Sequence, residues 1–354
     1  MRPFGVYVHI PFCARRCDYC AFATWTDRHH LTDRYVAGLI TEIRRAVDRG
    51  ELDAVTSVFV GGGTPSMLPA VDLGRVLDAV PTVTGAEVTV ECNPDTVSRD
   101  LLAVYREHGV NRISLGVQSM VPHVLGALGR THDPDNVRRS VELLRDLGYP
   151  TFNLDLIYGG AGETLADWET TLRAAAELDP PHVSAYALTV EAGTPLALDT
   201  ARHPDDDDQA DKYALADDVL GEGGRTWYEI SNWARPGHEC RHNVLYWEQG
   251  DYLGFGCAAH SHLAGRRFWN VRTPERYLHL VEGGEPAEGG AEELDLEERR
   301  LEALTLAVRM RGGVPVEALG ALDDLADLLD VRDGRAVLTR AGRLLANEVS
   351  LRLR

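Results

Sequence analysis

Between Val6 and Leu188 the chain alternates short apolar, β-branched runs with longer stretches whose apolar residues recur at helical spacing. The short runs, at residues 6–10, 57–60, 87–91, 112–116, 152–157 and 182–188, predict strands. The longer ones, at 31–47, 73–80, 99–108, 134–147 and 164–178, predict helices. Several open after Asp, Ser or Thr, and Gly109 and Gly148 fit their C-terminal stops. Strand followed by helix, six times over, calls for a parallel sheet. The predicted class is α/β, a partial (β/α)6 barrel over residues 1–200, since a closed barrel takes eight units.

Past this unit the pattern changes. Residues 205–208 are four consecutive acids, a solvated entry to a helix at 209–220. Residues 227–232 and 252–256 read as short strands of an extension over 201–282. The Gly- and Glu-rich stretch 283–290 reads as a linker. Beyond it, helices at 297–310 and 322–329, a strand at 336–338 and a helix at 339–349 predict a small winged-helix-like α+β domain over 291–354. Its acidity points to packing or docking rather than DNA binding.

The chain has 354 residues, 26% of them charged and 44% apolar, as a soluble globular protein would. A net charge of −19 disfavours nonspecific binding to nucleic acid or anionic lipid. No apolar run is long enough for a transmembrane segment, and Met1 to His9 runs into the first strand without a leader pattern, so a cytoplasmic location is expected. Six cysteines in such a chain do not make a disulfide scaffold, and closely spaced ones read as metal ligands.

Three of them form Cys13-x3-Cys17-x2-Cys20 directly after the first predicted strand. A structural zinc wants four ligands, and His29 and His30 complete no familiar finger pattern. A [4Fe–4S] cubane held by three thiolates instead keeps one iron free of protein. The stretch Tyr7-Val-His-Ile-Pro-Phe-Cys13 through Cys20 resembles the radical S-adenosylmethionine (SAM) family. The resemblance implies that Cys13, Cys17 and Cys20 hold the cluster. It also implies that SAM caps the open iron and is cleaved to a 5′-deoxyadenosyl radical by one electron, chemistry that belongs to the cofactor.

Polar residues gather where the apolar runs end. Gly61-Gly-Gly-Thr-Pro-Ser66 follows the second strand, where glycines let backbone approach a ligand, although a plain tight turn has the same composition. Glu91, Gln118 and Asp155 lie at or near the ends of the third, fourth and fifth, the face on which β/α barrels place ligands. By resemblance, Tyr7, Gly62, Gly63, Thr64, Glu91, Gln118, Arg130 and Asp155 match the family's SAM contacts, and Tyr19 its aromatic position between the second and third cysteines. Arg130 also reads as an ordinary helix-surface arginine.

Within the family the chain resembles the branch containing the oxygen-independent coproporphyrinogen III oxidase HemN and the HemW-like heme chaperones. The oxidase carries a further cysteine two residues after its third ligand and an N-terminal extension. Here Phe22 stands at that position and only twelve residues precede Cys13. His242-Asn-Val-Leu-Tyr-Trp247 matches the H-N-x-x-Y-W signature of the HemW-like group, whose histidine is proposed as an axial heme ligand. The same residues would also cap the packing of one domain on another. Cys240 is a candidate second iron ligand, Cys92 and Cys257 read as small buried hydrophobes, and His260 and His262 either meet a ligand's carboxylates or are structural.

The resemblance thus implies a heme chaperone with a [4Fe–4S] cluster, SAM and heme, and no catalytic side chain is assigned. Its partners would be an apo-hemoprotein recipient and an electron donor such as flavodoxin or ferredoxin, and the chain would be a monomer or weak homodimer. The rivals are a coproporphyrinogen III dehydrogenase, a HemN-like radical SAM methyltransferase, and a cluster protein without SAM turnover.

Overall fold

A computed structural model describes residues 2–52, 54–319 and 325–354. The six β/α units are present. Strands β1 (Phe4–Ile10), β2 (Val55–Gly62), β3 (Thr82–Cys92), β4 (Arg112–Gln118), β5 (Thr151–Tyr158) and β6 (His182–Ala187) alternate with helices. The helices are α1 (Thr32–Asp48), α2 (Ala70–Asp78), α3 (Arg99–Glu107), the pair α4 (Pro122–Ala127) and α5 (Pro134–Asp146), and α6 (Leu165–Glu177). Local chemistry fixes their ends: the Ser98 side chain caps α3, Asp133 caps α5 ahead of Pro134, and Thr164 and Asp167 form a capping box on α6.

The chain continues through α7 (Asp206–Glu222), β7 (Thr226–Glu229), β8 (Asn232–Ala234), α8 (Arg241–Trp247), β9 (Asp251–Phe255), β10 (His260–Leu263), β11 (Arg266–Asn270), α9 (Pro274–Gly283) and β12 (Glu288–Glu293). All twelve strands share one sheet, in the order β12-β11-β10-β9-β1-β2-β3-β4-β5-β6-β8-β7. Three features differ from the sequence expectations. β9 pairs in parallel with β1, adding a seventh parallel strand to the six expected. The expected linker at 283–290 instead ends a helix and opens β12, which pairs with β11. The strand expected at 227–232 is a hairpin, β7 and β8, the latter antiparallel to β6.

Alternation along the strands sorts the chemistry. Val6, Val8 and Ile10 of β1, Val58 and Val60 of β2, and Leu154 and Leu156 of β5 are fully buried in the apolar layer shared with the helices. The intervening residues point into the barrel: Tyr7 and His9, Ser57 and Phe59, Glu87, Thr89 and Glu91, Arg112 and Ser114, Asn153 and Asp155, His182 and Ser184. Such barrels are commonly filled by branched apolar side chains. This interior is polar, so its groups must bond one another or a ligand.

The C-terminal part comprises α10 (Leu296–Ala307), β13 (Val314–Pro315), β14 (Leu329–Arg332), β15 (Arg335–Leu338), α11 (Arg340–Leu344) and α12 (Ala346–Ser350). Its three-stranded antiparallel sheet packs on its own apolar cluster. Of the helix expected at 322–329, residues 322–324 lie outside the described residues, 325–328 contain a turn, and Leu329 begins β14. The helix expected at 339–349 is broken at Leu345 into α11 and α12. This part docks on α7, where the nearly buried Arg343 meets Asp217 at 2.6 Å and stacks on Trp227 at 4.5 Å.

Candidate cofactor site

The loop leaving β1 is closed by its own backbone. Cys13 N–H donates to the Trp25 carbonyl (3.0 Å) and Trp25 N–H to that of Pro11 (2.7 Å), so residues 13–25 form a lobe over the C-terminal ends of the strands. Cys13 is buried, Cys17 and Cys20 are half-buried, and none is in a disulfide. Arg130 Nη1 donates to Cys17 Sγ at 3.7 Å and its Nη2 to the Gly116 carbonyl at 2.8 Å, tying the lobe to β4. Thr64 Oγ1 donates to Cys13 Sγ at 3.7 Å. Arg202 holds Asp18 at 2.9 Å, while Tyr19 turns into an apolar cluster with Val124, Leu128, Leu188 and Leu196. Burial, and then the charges of Cys20 and Cys17, push the Cys13 thiol up. The three sulfurs are near enough to repel when ionised.

Glycines bring backbone to this lobe. A Cβ on Gly63 would lie 2.6 Å from the Phe12 carbonyl and 3.0 Å from Cys13 Sγ. Gly62 adopts φ +108°, and a Cβ there would strike the His9 ring. Its N–H donates to Glu91 Oε2 at 3.2 Å.

Behind the glycines lie two half-buried acids. Glu91 is pushed up to about 8 by burial and by repulsion from Asp155, with the Gly62 N–H offsetting only part. Burial also raises Asp155, which Ser114 Oγ and Asn153 Nδ2 (2.7 Å each) partly stabilise. Tyr7 Oη lies 3.0 Å from His9 Nδ1, and His9 Nε2 lies 2.9 Å from the Ala23 carbonyl, so Nε2 carries the proton and Nδ1 accepts. Burial lowers His9 to about 4, leaving a neutral ring. A mouth with excess buried acceptor capacity suits a ligand bearing positive charge and hydroxyls. Gln118 sits at φ +60° with its amide beside Gly116 and Arg130.

His242 is elsewhere. It lies on α8, which plugs the N-terminal end of the barrel against β1 and β2. Glu87 of β3 accepts from the N–H groups of Arg241 (3.2 Å) and His242 (3.1 Å) and from the Cys240 thiol (3.5 Å). The His242 ring is fully buried, with Nδ1 3.0 Å from Ser57 Oγ and Nε2 2.7 Å from Tyr246 Oη. It stacks on Phe59 at 5.5 Å, and burial lowers it to about 3. From here a chain of polar contacts climbs the interior: Cys240 N–H to Tyr228 Oη, Tyr228 to His182, His182 to Asn153, and Asn153 to Asp155.

The structure therefore brings together Tyr7, Gly62, Gly63, Thr64, Glu91, Gln118, Arg130 and Asp155 around the cysteine lobe. It packs the Tyr19 ring on its apolar cluster with the hydroxyl at Cys17, and sets His242 at the opposite end. Glu87, Ser57, Arg112, His182 and Tyr228 escaped the sequence reading. Their signal was a polar residue at every second position of strands otherwise apolar.

Comparisons with known proteins agree with this architecture. Residues 7–175 match the model of the radical SAM superfamily. A heme chaperone HemW of Mycobacterium tuberculosis is 41% identical over 98% of this chain and 94% of its own length. The Bacillus subtilis protein of that name is 33% identical over 98% and 97%, and the Escherichia coli one 40% over 73% and 70%. The structure of coproporphyrinogen III oxidase HemN from Escherichia coli, described as a radical SAM enzyme, superposes with a TM-score of 0.85 over 99% of this chain and 89% of its own, at 24% identity, a likeness of fold. The chain is a radical SAM protein, and within that superfamily it belongs to the HemW heme chaperone family.

The residues fit the superfamily's cofactors. Three thiols on one lobe are the soft donor set an iron–sulfur cluster selects. Among the described residues no three His, Cys, Asp or Glu side chains converge tightly enough for a single ion. A cubane places each thiolate on a different iron and asks for a wider triangle.

Proposed function

We propose that this protein binds heme and passes it to apo-hemoproteins, with the [4Fe–4S] cluster and SAM at the barrel mouth supporting transfer. The observation that carries the reading is the full-length similarity to heme chaperones, reinforced by Phe22. That side chain, 67% exposed beside Cys20, stands where the decarboxylating oxidase resembled here has a further cysteine. When bound, the cluster and SAM supply reductive cleavage of the sulfonium. The chain's own part is positional. Cys13, Cys17 and Cys20 take the cluster, Arg130 offsets negative charge at Cys17, and Gly62, Gly63 and Thr64 bring backbone to the ligand. Glu91 and Asp155 accept its donors, with Tyr7 and Gln118 lining the approach.

His242, the ligand implied by the H-N-x-x-Y-W resemblance, can meet an iron through Nε2 only after Tyr246 Oη leaves it. An electron donor of the flavodoxin or ferredoxin type, a monomeric or weakly dimeric state and a cytoplasmic location complete the proposal. No described helix is long and apolar enough to cross a membrane.

The test incubates the reconstituted, reduced protein anaerobically with SAM and coproporphyrinogen III, reads porphyrins by mass, and titrates the same preparation with hemin. Unchanged substrate with a stoichiometric hemin complex is expected, and transfer of that heme to an apo-hemoprotein completes the case. Loss of two carboxyl groups would make the protein an oxidase.

A further inference from the structure

Thirteen histidines are present, and the barrel seals its inner ones: His9, His182 and His242 are buried with both ring nitrogens partnered. His260 differs. It is exposed, neither of its ring nitrogens has a hydrogen-bond partner among the described residues, and its ring stacks on Trp269 at 5.6 Å and 29°.

Register fixes where this pair points. Tyr252 of β9 lies opposite Gly5 of β1, and Gly254 opposite Tyr7, so both share the inward face. His262 pairs with Tyr252, and His260, two residues along β10, is on that same face opposite Trp269. The His260–Trp269 shelf thus continues the surface that carries Tyr7 and His9 past the edge of the barrel. Trp269 in turn lies flat on β12. A Cβ on Gly290 would come within 2.6 Å of its ring, so glycine there provides the seat.

We propose that His260 is the imidazole that takes the iron of heme, with Trp269 fixing the plane of its ring. One open imidazole cannot hold a free metal ion, and no triad of metal-binding side chains stands near it among the described residues. A metalloporphyrin brings four bonds of its own and needs only one from the protein. An axial imidazole stands perpendicular to the macrocycle. Trp269, stacked nearly parallel to His260, then presents its edge to the porphyrin face, the favoured aromatic geometry. The inference rests on the heme-chaperone reading and names its ligand.

The experiment titrates hemin into full-length wild type, His260→Ala, His260→Gln, His242→Ala and, as a control on the exposed face of α9, His279→Ala. It reads the Soret band and the affinity, with circular dichroism and cluster absorbance checking the fold. Both His260 variants should lose the imidazole-ligated spectrum and bind at least roughly tenfold more weakly. Added imidazole should restore the ligated spectrum of the protein-bound heme in His260→Ala after free hemin is removed by gel filtration, whereas a structural defect would leave heme off the protein. A His260→Ala spectrum matching wild type, or loss of ligation only in His242→Ala, overturns this assignment and leaves the chaperone reading standing. A wild type that takes up no heme overturns both.

Discussion

The two ends of the barrel are lined by the same classes of side chain and end in different states. At the N-terminal end Glu87 caps α8, Ser57 and Tyr246 occupy both nitrogens of His242, and Phe59 covers its ring. At the C-terminal end Glu91 has one backbone donor, two half-buried acids repel each other, and three thiols outside any disulfide lie on a tethered lobe. Polar groups taken from water cost free energy until they are paired. The first end meets most of that cost internally, with the buried Arg112 Nε as its exception, and the second leaves more of it for a ligand to offset. A buried polar motif is therefore no pointer to a binding site by itself, and the informative feature is which acceptors lack donors.

The largest effect should come from Cys17→Ala, which removes one thiolate from the ligand end. Cluster absorbance and SAM cleavage should vanish, while stability in denaturant stays within about 1 kcal/mol because the side chain is only half-buried. Persistent SAM cleavage would remove the cysteine lobe from its assigned role. Glu87→Ala should do the reverse, costing about 3 kcal/mol by leaving the first N–H groups of α8 and the Cys240 thiol without their acceptor. Cluster absorbance of the folded fraction should survive. An unshifted unfolding midpoint would mean that this end is not held by its polar network.

A smaller effect separates the ends by pH. Glu91 is raised from 4.5 to about 8, so the folded, ligand-free chain keeps a proton that the unfolded chain releases. The stability this contributes is complete below pH 4.5 and is lost as pH rises through about 8. Glu91→Gln should flatten that decline, whose slope is at most about 1.4 kcal/mol per pH unit. Urea midpoints across this range decide, and an unchanged slope would place the proton elsewhere. Smallest is Tyr246→Phe, which removes one hydrogen bond from His242 Nε2 at a cost of about 1 kcal/mol. If His242 is the hidden iron ligand, this variant should take hemin faster than wild type, and an unchanged rate favours His260.

Much of the ligand end was legible along the chain. Glu91 and Gln118 lie at the ends, and Asp155 within the second half, of strands whose apolar alternation marks them, and the glycines and cysteines sit in loops of fixed spacing. The other end was not. β9 pairs with β1 across about two-thirds of the chain, and nothing local in residues 251–255 names that partner. Residues 283–290 looked like a linker because Gly and Glu are poor strand formers, yet an edge strand needs only one paired side. His260 read as one of two ambiguous histidines until the register of four strands gave it a face.

Local patterning determined which segments become strands and helices, where the thiols cluster, and which polar residues end each strand, because periodicity and turn chemistry act over a few neighbouring residues. Which end of the barrel each polar residue serves was decided by the curl of the sheet and by the return of α8, β9 and β10 to β1. Those are pairings between distant segments, and burial and unmet hydrogen bonds are properties of the closed structure. The fate of His242 and the openness of His260 belong to that second kind.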